Sequence, residues 1–235
     1  MKRLPTSRSM TRRRTTRAFI SVLIVAVGCR AEQPAPKAPA TTTAPPATAQ
    51  TPGPSTPPMK SPDSYAVRVE TSKGGFTIAV TRSLAPLGAD RFYELVKIGY
   101  FTDVRFFRVM PGFVAQFGLH GDPAVNALWT DAVLPDEPMR VGNTRGTVAF
   151  TTSGPKTRSN QLFVNTADNR AKLDGQKRFA PIGTVTDGMD VLDKLNSEYG
   201  EEPNQSRIGY KGNEYLTKWF PALDYIKSAT LVTNR

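Results

Sequence analysis

Between Arg30 and Pro62 the chain carries ten of its twenty prolines, interleaved with Ala and Thr and nearly free of apolar bulk. Such a segment has too little surface to bury to offset the entropy of ordering it, and each proline also removes a backbone donor. A folded unit must therefore be built from residues 63–235, with 30–62 read as a disordered linker. Proline-rich chain is extended and semi-stiff, at up to ~3.1 Å per residue, so this stretch suits a stalk. The single cysteine, Cys29, precedes the linker, so the domain is held by its core without disulfides.

The formal net charge is +11, which in an evenly mixed chain would point to nucleic acid or an anionic membrane. Its distribution argues otherwise. Seven basic residues (Lys2, Arg3, Arg8, Arg12, Arg13, Arg14 and Arg17) precede the first apolar run, and Arg30, Lys37 and Lys60 fall in the linker. From Asp63 onward there are 21 basic and 19 acidic residues, a net +2, so no general nucleic-acid surface is expected.

Beyond Tyr65 short apolar-alternating runs are separated by Gly, Asn and Pro. Ala66–Thr71 and Gly75–Val80 alternate with period two around Ser72-Lys-Gly74, the pattern of a β-hairpin. In Leu87–Ile98 the period changes: Ala89, Phe92, Leu95 and Val96 recur at helical spacing, and Gly99 marks the stop. Further strands are expected at Val104–Val109, Phe113–Gly118, Thr147–Thr152, Leu162–Asn165 and Ile182–Val185. Met189–Leu195 reads as a second helix, Asn213–Phe220 as a short one, and Ala222–Leu231 as the last apolar run. Many short strands with two principal helices predict a mainly β chain, an antiparallel barrel with helices capping its ends.

Where chemistry would reside is set by Arg105–Gly118, followed about thirty residues later by Gly154–Asn165. The two strands of the first block, joined by Met110-Pro-Gly, place Arg108, Phe113 and Gln116 over one pocket. One cation among aromatic and amide side chains, with no nucleophile, acid–base pair or metal cluster, is suited to gripping and polarising a neutral group. No metal and no cofactor are expected. His120, the only histidine, has no second ligand at coordinating spacing and reads as structural.

Three blocks carry a family resemblance: Phe107-Arg-Val-Met-Pro-Gly-Phe-Val-Ala-Gln116, Gly154-Pro-Lys-Thr-Arg-Ser-Asn-Gln-Leu-Phe163, and Leu173-Asp-Gly175 leading to Phe179-Ala-Pro-Ile-Gly183. In order and spacing they resemble the signature blocks of the cyclophilins, which are peptidyl-prolyl cis–trans isomerases, over roughly Tyr65–Leu195. The resemblance implies an eight-stranded antiparallel barrel closed by two α-helices, with the substrate groove on its outer face. It implies Arg108 as the catalytic arginine, with Gln116 holding the substrate backbone. Phe113, Val114, Phe163 and Leu173 would form the proline pocket, and Thr151, Thr152, Gln161 and Phe179 would line the groove. Val114 stands where methionine is frequent, and Thr151-Thr152 replace an Ala-Asn pair. Lys172 occupies the place of a tryptophan linked to tight cyclosporin binding, so weak cyclosporin sensitivity is expected.

The partners that the resemblance implies are proline-containing polypeptides, met by a monomer. The alternative from another class is a barrel that binds proline segments as a chaperone or scaffold without turnover. A sugar-binding or hydrolytic β-protein would need a carboxylate pair or aromatic platform that the sequence does not offer. The tract Gly200–Asn213 resembles an extended loop of some bacterial-type members, with either a substrate-selecting role or none.

At the other end, Ala18–Gly28 is an apolar run behind the basic leader, shorter than the roughly 20 residues of a spanning helix. It reads as the core of a secretory signal, and Cys29 after Ala26-Val-Gly28 resembles the lipidation site of a bacterial lipoprotein. An exported, membrane-anchored protein follows, with segment 1–29 as signal. Translation from Met59 would delete that segment and leave the protein cytoplasmic.

Overall fold

Residues 52–232 are described by the structure, a computed structural model. The segment read as a signal, Cys29 and the stretch read as a linker up to residue 51 lie outside the described residues. Strands β1 (Ser64–Thr71) and β2 (Gly74–Thr81) form the expected hairpin, paired from Ser64↔Thr81 to Thr71↔Gly74. Their alternation sends Val67, Val69, Phe76, Ile78 and Val80 inward, all of them buried. The remaining strands are β3 (Arg108–Met110), β4 (Val114–Phe117), β5 (Thr147–Phe150), β6 (Leu162–Asn165), β7 (Pro181–Asp187) and β8 (Ile226–Leu231).

All eight join one antiparallel sheet in the order β3-β4-β6-β5-β7-β2-β1-β8. The sheet curls until its ends approach: Asp103 N donates to Ile226 O at 2.8 Å, Ile226 N to Val104 O at 2.9 Å, and Phe106 N to Asp224 O at 2.9 Å. These bonds satisfy edge groups that an open sheet would expose. They also divide the strand predicted at Val104–Val109. Its first half reaches the chain before β8 through the Arg105↔Tyr225 bridge, and only Arg108–Met110 pairs with β4. The barrel interior is filled by large apolar side chains, among them Phe76, Phe92, Leu95, Phe101, Phe106, Phe117, Trp129 and Phe150. Each such side chain contributes roughly 1.5–3 kcal/mol relative to exposure.

Helices are more numerous than the two principal ones predicted. The described residues contain α1 (Pro86–Lys97), α2 (Pro123–Thr130), α3 (Arg170–Leu173), α4 (Met189–Asp193) and α5 (Gln205–Trp219). In α1, Pro86 opens the first turn and the Glu137 carboxylate caps it from outside, accepting from Leu87 N at 2.6 Å and Gly88 N at 3.0 Å. Its other end closes at Gly99, whose φ of 70° lets Gly99 N reach Val96 O and Tyr100 N reach Leu95 O. Helix α2, absent from the sequence reading, is started by Asp122, whose Oδ1 accepts from Ala124 N at 2.8 Å, with Pro123 following. Its apolar face inserts only Val125 and Trp129, too few to mark a period over eight residues.

Helix α5 corrects the reading of Gly200–Asn213 as an extended loop, since regular helix begins at Gln205. Asn204 Oδ1 caps it by accepting from Arg207 N at 3.0 Å, and the helix is interrupted at Gly212, with φ 54° and ψ −140°. Only glycine fits there, because an added Cβ would collide with the Gly121 carbonyl oxygen. Ile208, Tyr215 and Leu216 from α5 join Phe107, Leu119, Phe220 and Leu223 in a second, smaller core outside the barrel.

The last residues of the proline-rich stretch also differ from a free linker. Pro52 O accepts from Trp129 Nε1 at 3.2 Å, Ser55 N donates to Glu94 Oε1 at 2.6 Å, and Ser61 N and Oγ both donate to Asp90 Oδ1 at 2.9 Å. Satisfied backbone groups, not apolar burial, hold this segment against α1 and α2.

Candidate active site

Strand register assembles the site. Arg108 on β3 pairs with Gln116 on β4, Gln116 with Phe163 on β6, and Phe163 with Ala149 on β5. Their chain neighbours Val109, Ala115, Val164 and Val148 belong to the barrel core. Period two therefore sets Arg108, Gln116 and Phe163 in one row on the opposite, outer face. The Met110-to-Val114 turn closes with Phe113 N donating to Met110 O at 3.0 Å and brings Phe113 beside the row.

A cavity of about 570 Å³ opens on this face, and every groove residue expected from the sequence lines it: Arg108, Phe113, Val114, Gln116, Thr151, Thr152, Gln161, Phe163, Leu173 and Phe179. Its apolar end is a separate small cluster of Val114, Ala149, Phe163 and Leu173, with Phe113 and Phe179 packed against it. The Phe163 and Phe179 rings meet edge to face, centroids 5.7 Å apart at 78°.

Three of those walls come from unconnected segments, and a buried amide network fixes them together. Asn143, Asn165 and Asn169 are fully buried. Asn169 Nδ2 donates to Phe113 O and to Asn165 Oδ1, both at 2.7 Å, while Asn165 Nδ2 donates to Thr147 Oγ1 at 2.9 Å and Asn143 Oδ1 at 3.2 Å. Asn143 Nδ2 in turn donates to Asp174 Oδ1 at 2.8 Å and Phe179 O at 3.0 Å. The Phe113 turn, the α3 segment carrying Leu173, and the Phe179 loop are thus tied through side chains that cannot exchange with water.

At the polar end the Arg108 guanidinium carbon lies 5.5 Å from the Phe113 ring centroid. Its Nε and Nη2 both donate to Glu201 Oε2, at 3.1 and 3.0 Å, while Nη1 makes no hydrogen bond within the described residues. The pair is open to solvent, the side chains of Arg108 and Glu201 being 23% and 65% exposed, so it does not withdraw Arg108 from the cavity. Gln116 Nε2 donates to Gln161 Oε1 at 3.0 Å. Thr151 N donates to Gln161 O at 2.9 Å, and the Thr152 hydroxyl is engaged by its own turn, 2.8 Å from Thr157 Oγ1. Of this pair, Thr151 leaves its side chain the freer to meet a ligand.

Ser153, Thr157, Ser159, Glu201 and Gln205 also line the cavity and were not singled out by sequence. Glu201 and Gln205 lie in or beside the tract flagged as an addition, but what brings them here is long-range: Val109 N donates to Gly200 O at 3.1 Å. No local periodicity encodes that contact. His120 stands elsewhere, its Nδ1 accepting from Asp122 N at 2.9 Å and its ring 5.1 Å from Tyr100. Burial lowers its pKa below the usual value, opposed by Asp122. Among the described residues Arg108 and Glu201 are the only charged side chains lining the cavity, so these residues offer directed N–H groups above an apolar seat and no proton-transfer pair.

The sequence model of the family described as cyclophilin type peptidyl-prolyl cis-trans isomerase/CLD matches residues 66–210. A peptidyl-prolyl cis-trans isomerase of Acinetobacter baylyi is 33% identical over 148 residues, which span 59% of this chain and 77% of that protein. Peptidyl-prolyl cis-trans isomerase A of Dickeya dadantii is 32% identical over 133 residues, 55% of this chain and 70% of its own. In fold, the chain is similar to a cyclophilin type peptidyl-prolyl cis-trans isomerase of Cryptosporidium parvum, crystallised in the presence of the dipeptide Ala-Pro. That likeness has a TM-score of 0.53 at 19% identity and covers 72% of this chain and 99% of the other.

Proposed function

Since the chain belongs to the cyclophilin-type peptidyl-prolyl cis–trans isomerase family, we propose that it accelerates rotation about X–Pro bonds by presenting Arg108 to the twisted amide. Rotation must overcome ~18–20 kcal/mol of amide resonance. The cis and trans end states of an X–Pro bond differ by only ~0.5–1 kcal/mol. The catalytic problem is therefore to stabilise a twisted intermediate geometry, with no bond broken.

When the bond leaves planarity the prolyl nitrogen regains a localised lone pair. An arginine N–H can donate to that pair, and in the planar ground state it is absent. Binding to the transition state thus exceeds binding to substrate, which is the condition for rate enhancement. Phe113, Val114, Phe163, Leu173 and Phe179 seat the pyrrolidine ring and exclude water, and Gln116 holds the substrate backbone so that one end turns against a fixed other end. Proline-containing polypeptides are the substrates, and the Ala-Pro dipeptide used with the C. parvum relative is the smallest of that class. The observation that carries this reading is the Arg108–Gln116–Phe163 row, which sets donor, anchor and apolar seat side by side.

The test is a coupled cis–trans assay on a short prolyl peptide together with titration of the same peptide. An isomerase raises the rate in proportion to enzyme; saturable binding with no acceleration would identify a proline-segment chaperone instead.

We place this activity outside the cytoplasm, on exported proteins. The support is sequence alone: the basic leader, the apolar run Ala18–Gly28, Cys29 and the proline-rich stretch. Incorporation of labelled palmitate that disappears in Cys29→Ser is the expected result; labelling of neither form would remove the lipid anchor.

A further inference from the structure

We propose, building on the isomerase reading, that Glu201 is a specificity-determining residue that selects basic over acidic side chains flanking the prolyl bond. Among the described residues it is the only carboxylate lining the cavity, and it reaches Arg108 from a segment outside the barrel strands. The placement is fixed by backbone. Val109 N donates to Gly200 O at 3.1 Å, Gly200 N to Ser197 O at 3.1 Å and Glu202 N to Tyr199 O at 2.9 Å, while the Tyr199 ring packs 5.2 Å from Phe220. A strapped loop thus delivers one acidic side chain beside the guanidinium.

The mode of contact separates positioning from blockage. Glu201 Oε2 takes the side-on edge of Arg108, through Nε and Nη2, and leaves Nη1 without a hydrogen bond within the described residues. Glu201 Oε1 accepts no hydrogen bond within the described residues, and the side chain is 65% exposed, so a client side chain can reach it. A further cation on the groove rim is Lys172, whose Nζ lies 4.9 Å from the Phe113 centroid. With Glu201 in place the groove mouth carries Arg108 and Lys172 offset by one anion; without it, two cations stand alone and favour acidic clients. Charges at this exposure change rates by factors of a few, and salt screens them.

Two matched peptide series decide it, carrying Lys, Ala or Glu immediately before or immediately after the proline. They are turned over by wild type, Glu201→Gln and Glu201→Lys at low and high ionic strength, with circular dichroism confirming that each variant is folded. In at least one series wild type is expected to favour Lys over Glu by roughly two- to fivefold in kcat/KM. Glu201→Gln, which leaves Arg108 and Lys172 unopposed, should bring that ratio below one, Glu201→Lys should lower it further, and salt should move all three towards one. A wild-type ratio of one in both series, or a ratio that the variants leave unchanged, overturns the assignment. Failure of wild type to turn over any peptide would instead defeat the isomerase reading on which it rests.

Discussion

The loop that forms one side of the groove is pinned beneath its surface by an ion pair that should be costly to break on one side only. Arg158, whose side chain is 1% exposed, donates from Nη1 to Glu137 Oε2 at 3.0 Å, and from Nη2 to the Pro135 carbonyl. The same carboxylate accepts from Leu87 N and Gly88 N at the start of α1, so one side chain serves a helix terminus and a buried cation at once. Replacing Glu137 by Leu strands the guanidinium without a counter-charge, at a cost of about 3–5 kcal/mol. At ~2–4 °C per kcal/mol for a domain of this size, Tm should fall by roughly 6–20 °C. The double variant Glu137→Leu/Arg158→Met removes both charges. It should lose only about 0.5–2 kcal/mol, the worth of a helix cap, because an apolar pair replaces the ionic one without a penalty. Urea unfolding of wild type, both single variants and the double variant gives the coupling directly. Because Arg158 lies in the Gly154–Phe163 block, Glu137→Leu should also raise KM for a prolyl peptide at temperatures where it is still folded. A Glu137→Leu loss below about 1 kcal/mol, or a double variant as unstable as the sum of the singles, would refute the reasoning.

Two further outcomes follow from particular side chains. His120 has its pKa lowered by burial, so the unfolded chain binds its proton more readily; stability should be complete above the unfolded value of about 6.5 and decline as pH falls below it. Since His120 is the only histidine, its ring proton resonance reports this alone, and a midpoint at or above that of a model peptide would contradict it. Lys172, beside Phe113 on the groove rim, should leave cyclosporin a weak inhibitor, and Lys172→Trp should tighten inhibition roughly tenfold through an aromatic contact. Nanomolar inhibition of wild type would show that the position does not control affinity.

What the sequence revealed was whatever short-range pattern encodes. Period-two alternation located the β1–β2 hairpin and gave Leu162–Asn165 its bounds, and three dense motifs, with Thr151 and Thr152 just before the second, brought ten side chains to one cavity before any register was known. Features that depend on distant contacts were not legible. Val104–Phe107 reads as strand from its apolar and aromatic residues, yet it turns to the chain before β8 because barrel closure needs a partner there. Helix α2 rests on an Asp-Pro start and two inward side chains, which make no period; of α5 the second half was read as Asn213–Phe220, while the first half lies beyond the glycine break against Gly121. Glu201 was invisible as a groove residue for the same reason, since its neighbour Gly200 is held by β3 across some ninety positions. The asparagine network escaped notice because isolated Asn residues in loops read as turn formers until their burial is known.

The central claim is that Arg108 stabilises the twisted amide more than the planar one. Single-turnover rates and peptide affinity, measured side by side for wild type and Arg108→Ala, test it most directly. Loss of one preorganised donor predicts a fall of about 10²–10³ in kcat with peptide Kd changed only a few-fold. Equal rates in the two proteins, or a loss confined to Kd, would contradict it.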